Sequence, residues 1–223
     1  MNAAALAPLR LLYGGTFDPI HLGHLAVARA ALASSRAVRL DFVPAADPPH
    51  RAPPGAGFDD RADLVELALA TEPAPRSGTW AVDRREGRRA GPSFTVDTLR
   101  EWRVEHGHDA PLGFVLGADA FLGLAGWREW RALFDLAHLL VAIRPGAALD
   151  ALPPPLGEAC AGRWTTAPGD LATSPAGRVF IVELPPRPES ATAVRDALAG
   201  RRDADGLPTA VAARIEALGL YRA

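Results

Sequence analysis

The segment Leu9–Leu25, Leu-Arg-Leu-Leu-Tyr-Gly-Gly-Thr-Phe-Asp-Pro-Ile-His-Leu-Gly-His-Leu, restricts the possible folds more than any other part of the chain. Its opening apolar run, Leu9 to Tyr13, has the length of a buried strand. Gly14 and Gly15 follow, and glycine permits positive φ and close backbone approach. Thr16 to His21 then reads as a loop carrying a hydroxyl, a carboxylate and an imidazole. From Leu22 the apolar residues Leu25, Ala28 and Leu32 recur at helical spacing. A glycine turn leading from a strand into a helix presents free backbone N–H groups, and the helix dipole favours negative charge there. His21 and His24 stand three residues apart at that entry, so both can face one spot. Thr16 can donate a hydroxyl hydrogen bond. The grouping suits a polyphosphate. A Gly-Gly turn is ordinary in α/β proteins and a lone histidine is usually structural, but two histidines, a threonine and an Asp-Pro in one turn favour function. The pattern is neither a P-loop, since no Gly-Lys-Ser/Thr follows, nor a Gly-x-Gly-x-x-Gly fingerprint.

Further strands are expected at Val38–Val43, Thr79–Asp83, Leu112–Gly117, His138–Ile143 and Arg178–Glu183. Helices are expected near Gly23–Ala33, Asp59–Ala70, Ser93–His106, Trp127–Phe134, Ala191–Ala199 and Thr209–Leu218. This alternation predicts an α/β fold, a Rossmann-like, mostly parallel sheet with helices on both faces. Ligands of such sheets bind at the carboxyl ends of the strands, where the strand order reverses. Residues 1–223 are expected to form one domain, with 145–177, rich in Pro, Gly and Ala, as a variable connection and 188–223 as a C-terminal helical part.

Several other stretches carry polar groups at such positions. Pro44–Pro54 is a proline-stiffened loop from which His50 and Arg51 project, and a solvated loop is as open a reading as a functional one. Arg61, in the helix that follows, braces that loop or lies on the surface. Ser93 is a candidate N-cap, with Thr95 in the first turn of its helix. Gly117 and Asp119 close a strand with a glycine turn and a carboxylate, and Asp119 can bond a ribose or cap a helix. Trp127 and Trp130, three apart, suggest core packing. Near residue 190, Ser190, Thr192 and Arg195 make a second anion cradle at a helix start.

Gly14-Gly15-Thr16-Phe17-Asp18-Pro19-Ile20-His21-Leu22-Gly23-His24 resembles the signature of the nucleotidylyltransferase superfamily with the His-x-Gly-His motif. More closely, the chain resembles the bacterial nicotinate-nucleotide adenylyltransferases. The similarity extends in order through Pro-Pro-His-Arg at 48–51, Pro-Ser-Phe-Thr at 92–95, Gly-Ala-Asp at 117–119, Gly-Trp at 126–127 and Ser-Ala-Thr-Ala-Val-Arg at 190–195. Three departures are Ile143 for the first arginine of an Arg-Arg-Pro-Gly motif, Arg128 where some relatives have tyrosine, and Glu189 for isoleucine, whose side chain should point away from phosphates. The resemblance implies adenylyl transfer from ATP to nicotinate mononucleotide, with release of pyrophosphate. It implies His21, His24 and Arg195 as catalytic residues. Gly14, Gly15, Thr16, Phe17, His50, Arg51, Ser190 and Thr192 would bind ATP or phosphate, Gly117 and Asp119 the nucleotide ribose or base, and Thr95, Trp127 and Arg128 the nicotinate. Mg²⁺ would arrive with the ATP phosphates rather than occupy a protein metal site.

The net charge is −2, so no global basic field points to nucleic acid. Cys160 is the only cysteine, which excludes an intrachain disulfide and a cysteine-cluster metal site, and with no basic residue adjacent to it in sequence it is not read as a nucleophile. No apolar run approaches a membrane span, and Met1–Pro8 lacks the features of a signal peptide, so a cytoplasmic protein is expected. The sequence sets no oligomeric state. Transfer to another acceptor such as nicotinamide mononucleotide, phosphopantetheine or glycerol phosphate, and a non-catalytic nucleotide-binding regulator, remain alternative functions.

Overall fold

The computed structural model describes residues 7–49, 53–144, 149, 151–185, 191–200, 202 and 204–222. Seven parallel strands form one sheet in the order β3-β2-β1-β4-β5-β7-β6. They are β1 (Arg10–Gly15), β2 (Arg39–Pro44), β3 (Thr79–Val82), β4 (Leu112–Gly117), β5 (His138–Ile143), β6 (Trp164–Thr165) and β7 (Val179–Glu183). The helices are α1 (Leu22–Ser35), α2 (Phe58–Thr71), α3 (Thr95–His106), α4 (Ala118–Leu122), α5 (Leu133–Leu136), α6 (Pro154–Cys160), α7 (Ala191–Ala199) and α8 (Thr209–Leu218).

Side chains alternate across the strands into two apolar layers, as a sheet covered on both faces requires. Leu11, Leu40, Phe42, Val115, Leu140 and Phe180 face a cluster completed by Leu25 and Leu32 of α1, Leu64 of α2, Val194 of α7 and Val211 and Ile215 of α8. Leu12, Phe114, Leu116, Leu139 and Val141 face the other, with Leu99 and Trp102 of α3 and Leu156 of α6. Each such fully buried side chain contributes about 1.5–3 kcal/mol of transfer free energy. Gly113 of β4 leaves no room for a side chain: a Cβ there would stand 2.6 Å from both Leu11 and Leu140. Cys160 is wholly buried, and burial pushes its thiol up to about 11, so it is packing rather than chemistry.

Two expectations need correction. Trp127–Phe134 is not one helix: 3₁₀ turns cover Leu124–Gly126 and Trp130–Ala132, and only Leu133–Leu136 is α-helical, with Glu129 between them in the left-handed region at φ 49°. The 145–177 connection also holds more structure than its composition suggests. It contributes α6, which starts on prolines suited to a first turn, and β6, whose two residues are too few to make a periodic signal.

His138 opens β5 fully buried. Its Nδ1 accepts from the Arg178 N–H at 3.0 Å and its Nε2 donates to the Ser174 carbonyl at 2.9 Å, so both ring nitrogens are satisfied by the neutral form. Burial holds its pKa down at about 4, against 6.5 for the free side chain. The unfolded chain therefore takes up a proton that the folded chain refuses. This contribution to stability is intact above pH 6.5 and declines as the pH falls toward 4. Unfolding by urea should show about 2 kcal/mol lost from this residue between about pH 7 and about pH 5. A His138→Gln variant, weaker at neutral pH, should show a flatter profile; an unchanged slope would place the acid sensitivity elsewhere.

Candidate active site

The strand order reverses between β1 and β4, and the turn after β1 opens at their carboxyl ends. Gly14 and Gly15 complete β1 rather than the turn, and neither has positive φ; the left-handed residue is Phe17, at φ 46°. The glycines are required for space instead. A Cβ on Gly14 would stand 2.8 Å from the Phe114 ring, and one on Gly15 would stand 2.9 Å from the Phe17 ring. Phe17 is core: its ring packs edge-on to Tyr13 and His24, at centroid distances of 5.4 and 5.1 Å. What Phe17 offers a ligand is backbone.

His21 is the N-cap of α1 and is buried, while His24 is half-buried. Their rings stack with centroids 3.7 Å apart, so the two imidazoles do face one spot. The His21 N–H donates to His24 Nδ1 at 3.2 Å, which puts the proton of a neutral His24 ring on Nε2 and makes that atom the donor. The helix entry is less rich in free donors than the sequence implies. Leu22 N–H already donates to the Gly206 carbonyl at 2.8 Å, and His24 N–H to the His21 carbonyl at 2.9 Å.

Arg61 settles between its two readings: it is buried, 1% exposed, and braces the loops. Its Nε donates to the Ala56 carbonyl (3.1 Å), Nη1 to Thr16 (2.5 Å) and Nη2 to Ala45 (2.8 Å). Burial lowers its pKa, and the nearby charge of Asp18 works against that shift. Ser93 is not an N-cap; Phe94 occupies that position. The Ser93 hydroxyl instead accepts from Ala46 and Asp47 N–H at 3.0 and 3.1 Å, and its own N–H donates to the Asp47 carbonyl at 2.8 Å. The loop after β2 is thus fastened to the start of α3. His50 and Arg51 lie outside the described residues.

Asp18 collects the other end of that loop. Its Oδ2 accepts from Gly55 N–H at 2.8 Å, and its Oδ1 accepts from Ala56 N–H at 3.3 Å and from the Tyr221 hydroxyl at 2.7 Å. Arg195, on α7, donates from Nη1 to the Asp18 carbonyl at 2.8 Å and from Nη2 to the Thr192 hydroxyl at 3.4 Å. So Arg195 does reach the signature turn, 177 residues away in sequence, whereas Thr192 meets it only through Arg195. Ser190 and Glu189 lie outside the described residues. Sequence reasoning missed Asp18 as a hub and Tyr221 as its partner, because no local pattern signals a contact between residues 203 apart.

Thr95 is the first residue of α3 and half-buried, so its N–H and that of Val96 belong to the turn that lacks intrahelical acceptors. The Arg128 guanidinium lies 4.7 Å above the Phe94 ring, beside this turn, and 3.9 Å from Asp97. Trp130 is core, as the spacing suggests, whereas Trp127 is half-buried and meets the Phe114 ring edge-on at 6.5 Å. The Trp127 N–H is engaged by the Leu124 carbonyl at 2.9 Å. Gly117, not Asp119, is the N-cap of α4, which leaves Asp119 exposed in its first turn at the mouth of β4. Among the described residues, no group of three or more His, Cys, Asp or Glu is placed to hold a metal ion, and no helix is long and apolar enough to cross a membrane.

Residues 12–197 match the cytidylyltransferase-like family. The chain is 50% identical over 216 residues to a probable nicotinate-nucleotide adenylyltransferase of Stenotrophomonas maltophilia, covering 96% of this chain and 97% of that protein. It is 45% identical over 217 residues to one of Halorhodospira halophila, covering 96% of each. Among solved structures, the fold matches a Plasmodium falciparum nicotinic acid mononucleotide adenylyltransferase complexed with NaAD, with TM-score 0.75, 15% identity, and 96% and 98% of the two chains covered. The signature turn, the strand order and sequence similarity along nearly the whole length agree, and the chain belongs to the cytidylyltransferase-like family and, within it, to the nicotinate-nucleotide adenylyltransferases.

Proposed function

We propose that this chain transfers the adenylyl group of ATP to nicotinate mononucleotide, forming nicotinate adenine dinucleotide and pyrophosphate, a step of NAD biosynthesis. The observation that carries this reading is the convergence of His21, His24 and Arg195 on one turn at the reversal of strand order. We read the whole chain as one nucleotidylyltransferase domain, working in the cytoplasm where ATP is supplied.

The nucleophile is the phosphate monoester of the mononucleotide. Its second pKa is about 6, so it is largely ionised at neutral pH and requires no general base. Negative charge accumulates as the α-phosphorus becomes five-coordinate, and the protein's task is to hold the reactants in line and stabilise that charge. His24 Nε2–H is the donor closest in character to an oxyanion-hole group, Arg195 presents a planar fork, and Thr16 and Thr192 add hydroxyls. Arg61, whose partners are carbonyls, adds positive potential beneath the turn. Nucleotidyltransferases of this kind generally use a divalent metal with ATP, and Mg²⁺ is the ion proposed here. Lacking a protein cage among the described residues, it would be held by phosphate oxygens and water, and would neutralise phosphate charge. Asp119, exposed at the end of β4, is placed for ribose hydroxyls. Trp127 would stack on the pyridine ring, while Thr95, the first N–H groups of α3 and the Arg128 guanidinium would receive the carboxylate.

The deciding experiment is pyrophosphate release from ATP with nicotinate mononucleotide, nicotinamide mononucleotide and phosphopantetheine as acceptors. Nicotinate mononucleotide should be preferred over the amide by roughly 5- to 150-fold in kcat/KM, because the amide would point its NH₂ at donors and leave both unpaired. Arg128→Gln should narrow that ratio without changing the ranking of the third acceptor. Equal values for the two mononucleotides would remove the donor-lined pocket. His24→Ala should lower kcat by about 100- to 1000-fold while costing only about 1 kcal/mol of stability, since it also removes the acceptor for the His21 N–H. Thermal melting alongside steady-state kinetics checks both halves, and near-normal turnover would sink the assignment. Arg195→Lys should also impair turnover, because an ammonium cannot span the two positions of the guanidinium fork; wild-type kinetics with ATP would show that a point charge suffices.

A further inference from the structure

We propose that Tyr221 is a positioning residue for adenylyl transfer: by holding the Asp18 carboxylate at 3.9 Å from Arg195 rather than in a close pair, it leaves to substrate phosphate the N–H groups of that guanidinium that the Asp18 carbonyl and the Thr192 hydroxyl do not use. This deepens the adenylyl-transfer reading and rests on it.

Tyr221 stands two residues beyond Gly219, the left-handed residue that ends α8. Its own φ is 60°, a conformation that a bulky side chain rarely adopts and that the surroundings must enforce. The enforcement is visible. The ring covers Gly55, where an added Cβ would fall 2.9 Å from the ring, and the hydroxyl donates to Asp18 Oδ1 at 2.7 Å. Burial, followed by the bond to Asp18, pushes the phenol above its ordinary range, so Tyr221 remains a donor.

Asp18 is a carboxylate set beside a cation that the proposed reaction reserves for phosphate. Arg195 Nη1 bonds the Asp18 main-chain carbonyl at 2.8 Å but stands 3.9 Å from the carboxylate Oδ2. A carboxylate free to turn would close that gap into a charge-assisted pair and occupy the fork. Three donors oppose this: Gly55 N–H on Oδ2, and Ala56 N–H and the Tyr221 hydroxyl on Oδ1. The Ala56 bond is the longest of them, at 3.3 Å, so without the hydroxyl Oδ1 is weakly held. The same carboxylate anchors the end of the loop after β2, and a turned Asp18 would release it. Tyr221 therefore acts on both the arginine and the loop without itself touching substrate.

The test is a double-mutant cycle of Tyr221→Phe and Asp18→Asn on the full chain, read by thermal melting, by pyrophosphate release with ATP varied, and by calorimetric binding of ATP. Tyr221→Phe keeps the ring and should stay folded at the assay temperature, with a melting temperature lowered by the loss of one hydrogen bond to a charged group. Its kcat/KM for ATP should fall about 10-fold, the worth of one hydrogen bond to a charged group. In the Asp18→Asn background, where no anion competes for Arg195, the same change should cost less than about twofold. Wild-type kinetics in Tyr221→Phe, an equal loss in both backgrounds, or a lowered melting temperature with unchanged kinetics would each overturn the proposal. Should Tyr221→Phe fold poorly, ATP binding measured below its melting transition decides instead: unchanged affinity overturns the proposal and weakened affinity upholds it. A wild-type chain that released no pyrophosphate would overturn the adenylyl-transfer reading separately, and ATP affinity would still decide for Tyr221.

Discussion

Arg61 holds together backbone that has no secondary structure of its own. A phosphate site needs main chain close to the ligand, and here that main chain lies in irregular segments, buried from Phe17 to His21 and at Ala56 and half-buried at Thr16 and Ala45. Buried backbone carbonyls must be paired. One guanidinium does this for three segments at once, bonding Thr16 in the turn after β1 and Ala45 and Ala56 at the two ends of the following loop. Only arginine has enough donors in a rigid enough fork to do so. Burying it costs several kcal/mol, offset by those bonds. Its bonded partners are neutral, and although the charge of Asp18 acts on it from nearby, the site gains a cation without placing it in the ligand's path.

Around that centre, polar side chains each do what backbone cannot. Ser93 fastens the near end of the loop to α3, Asp18 fastens the far end to the signature turn, and Phe114 and Phe17 fill the space left beside Gly14 and Gly15. The same Asp18 brings in Arg195 through its carbonyl and Tyr221 through its carboxylate. An acidic residue at an anion site is tolerable because its charge is dispersed over donors pointing from the loop and the C-terminal tail. The order of the strands brings these distant parts together. Placing β1 beside β4 opens the crevice, and α7 then reaches the same turn from the far end of the chain.

The local patterns were legible where a short stretch carries its own signal. Strand β4 and β5 limits, and those of α7 and α8, agree with apolar periodicity. Periodicity failed at Trp127–Phe134, because the apolar residues there feed a chain of short turns that packs onto α3 and β5 without one helical axis. It also failed at β6, whose two residues become a strand only by pairing with β7. Ser93 has the chemistry of a cap but lies one residue too early, and its hydroxyl serves another loop.

The sequence by itself determined the chemistry: the signature from Gly14 to His24, the alternation of strands and helices, and the residue types suited to phosphate are properties of adjacent residues, whose spacing local geometry converts directly into shared faces. Only the tertiary structure decided which of those groups are available. It assigned the Leu22 N–H to Gly206, turned Arg61 inward, made the glycines a matter of room rather than of φ, and joined Asp18 to Tyr221 across the length of the chain. The physical reason is that hydrogen-bond satisfaction and packing are settled between segments, and contacts between segments distant along the chain leave no periodic trace in either one.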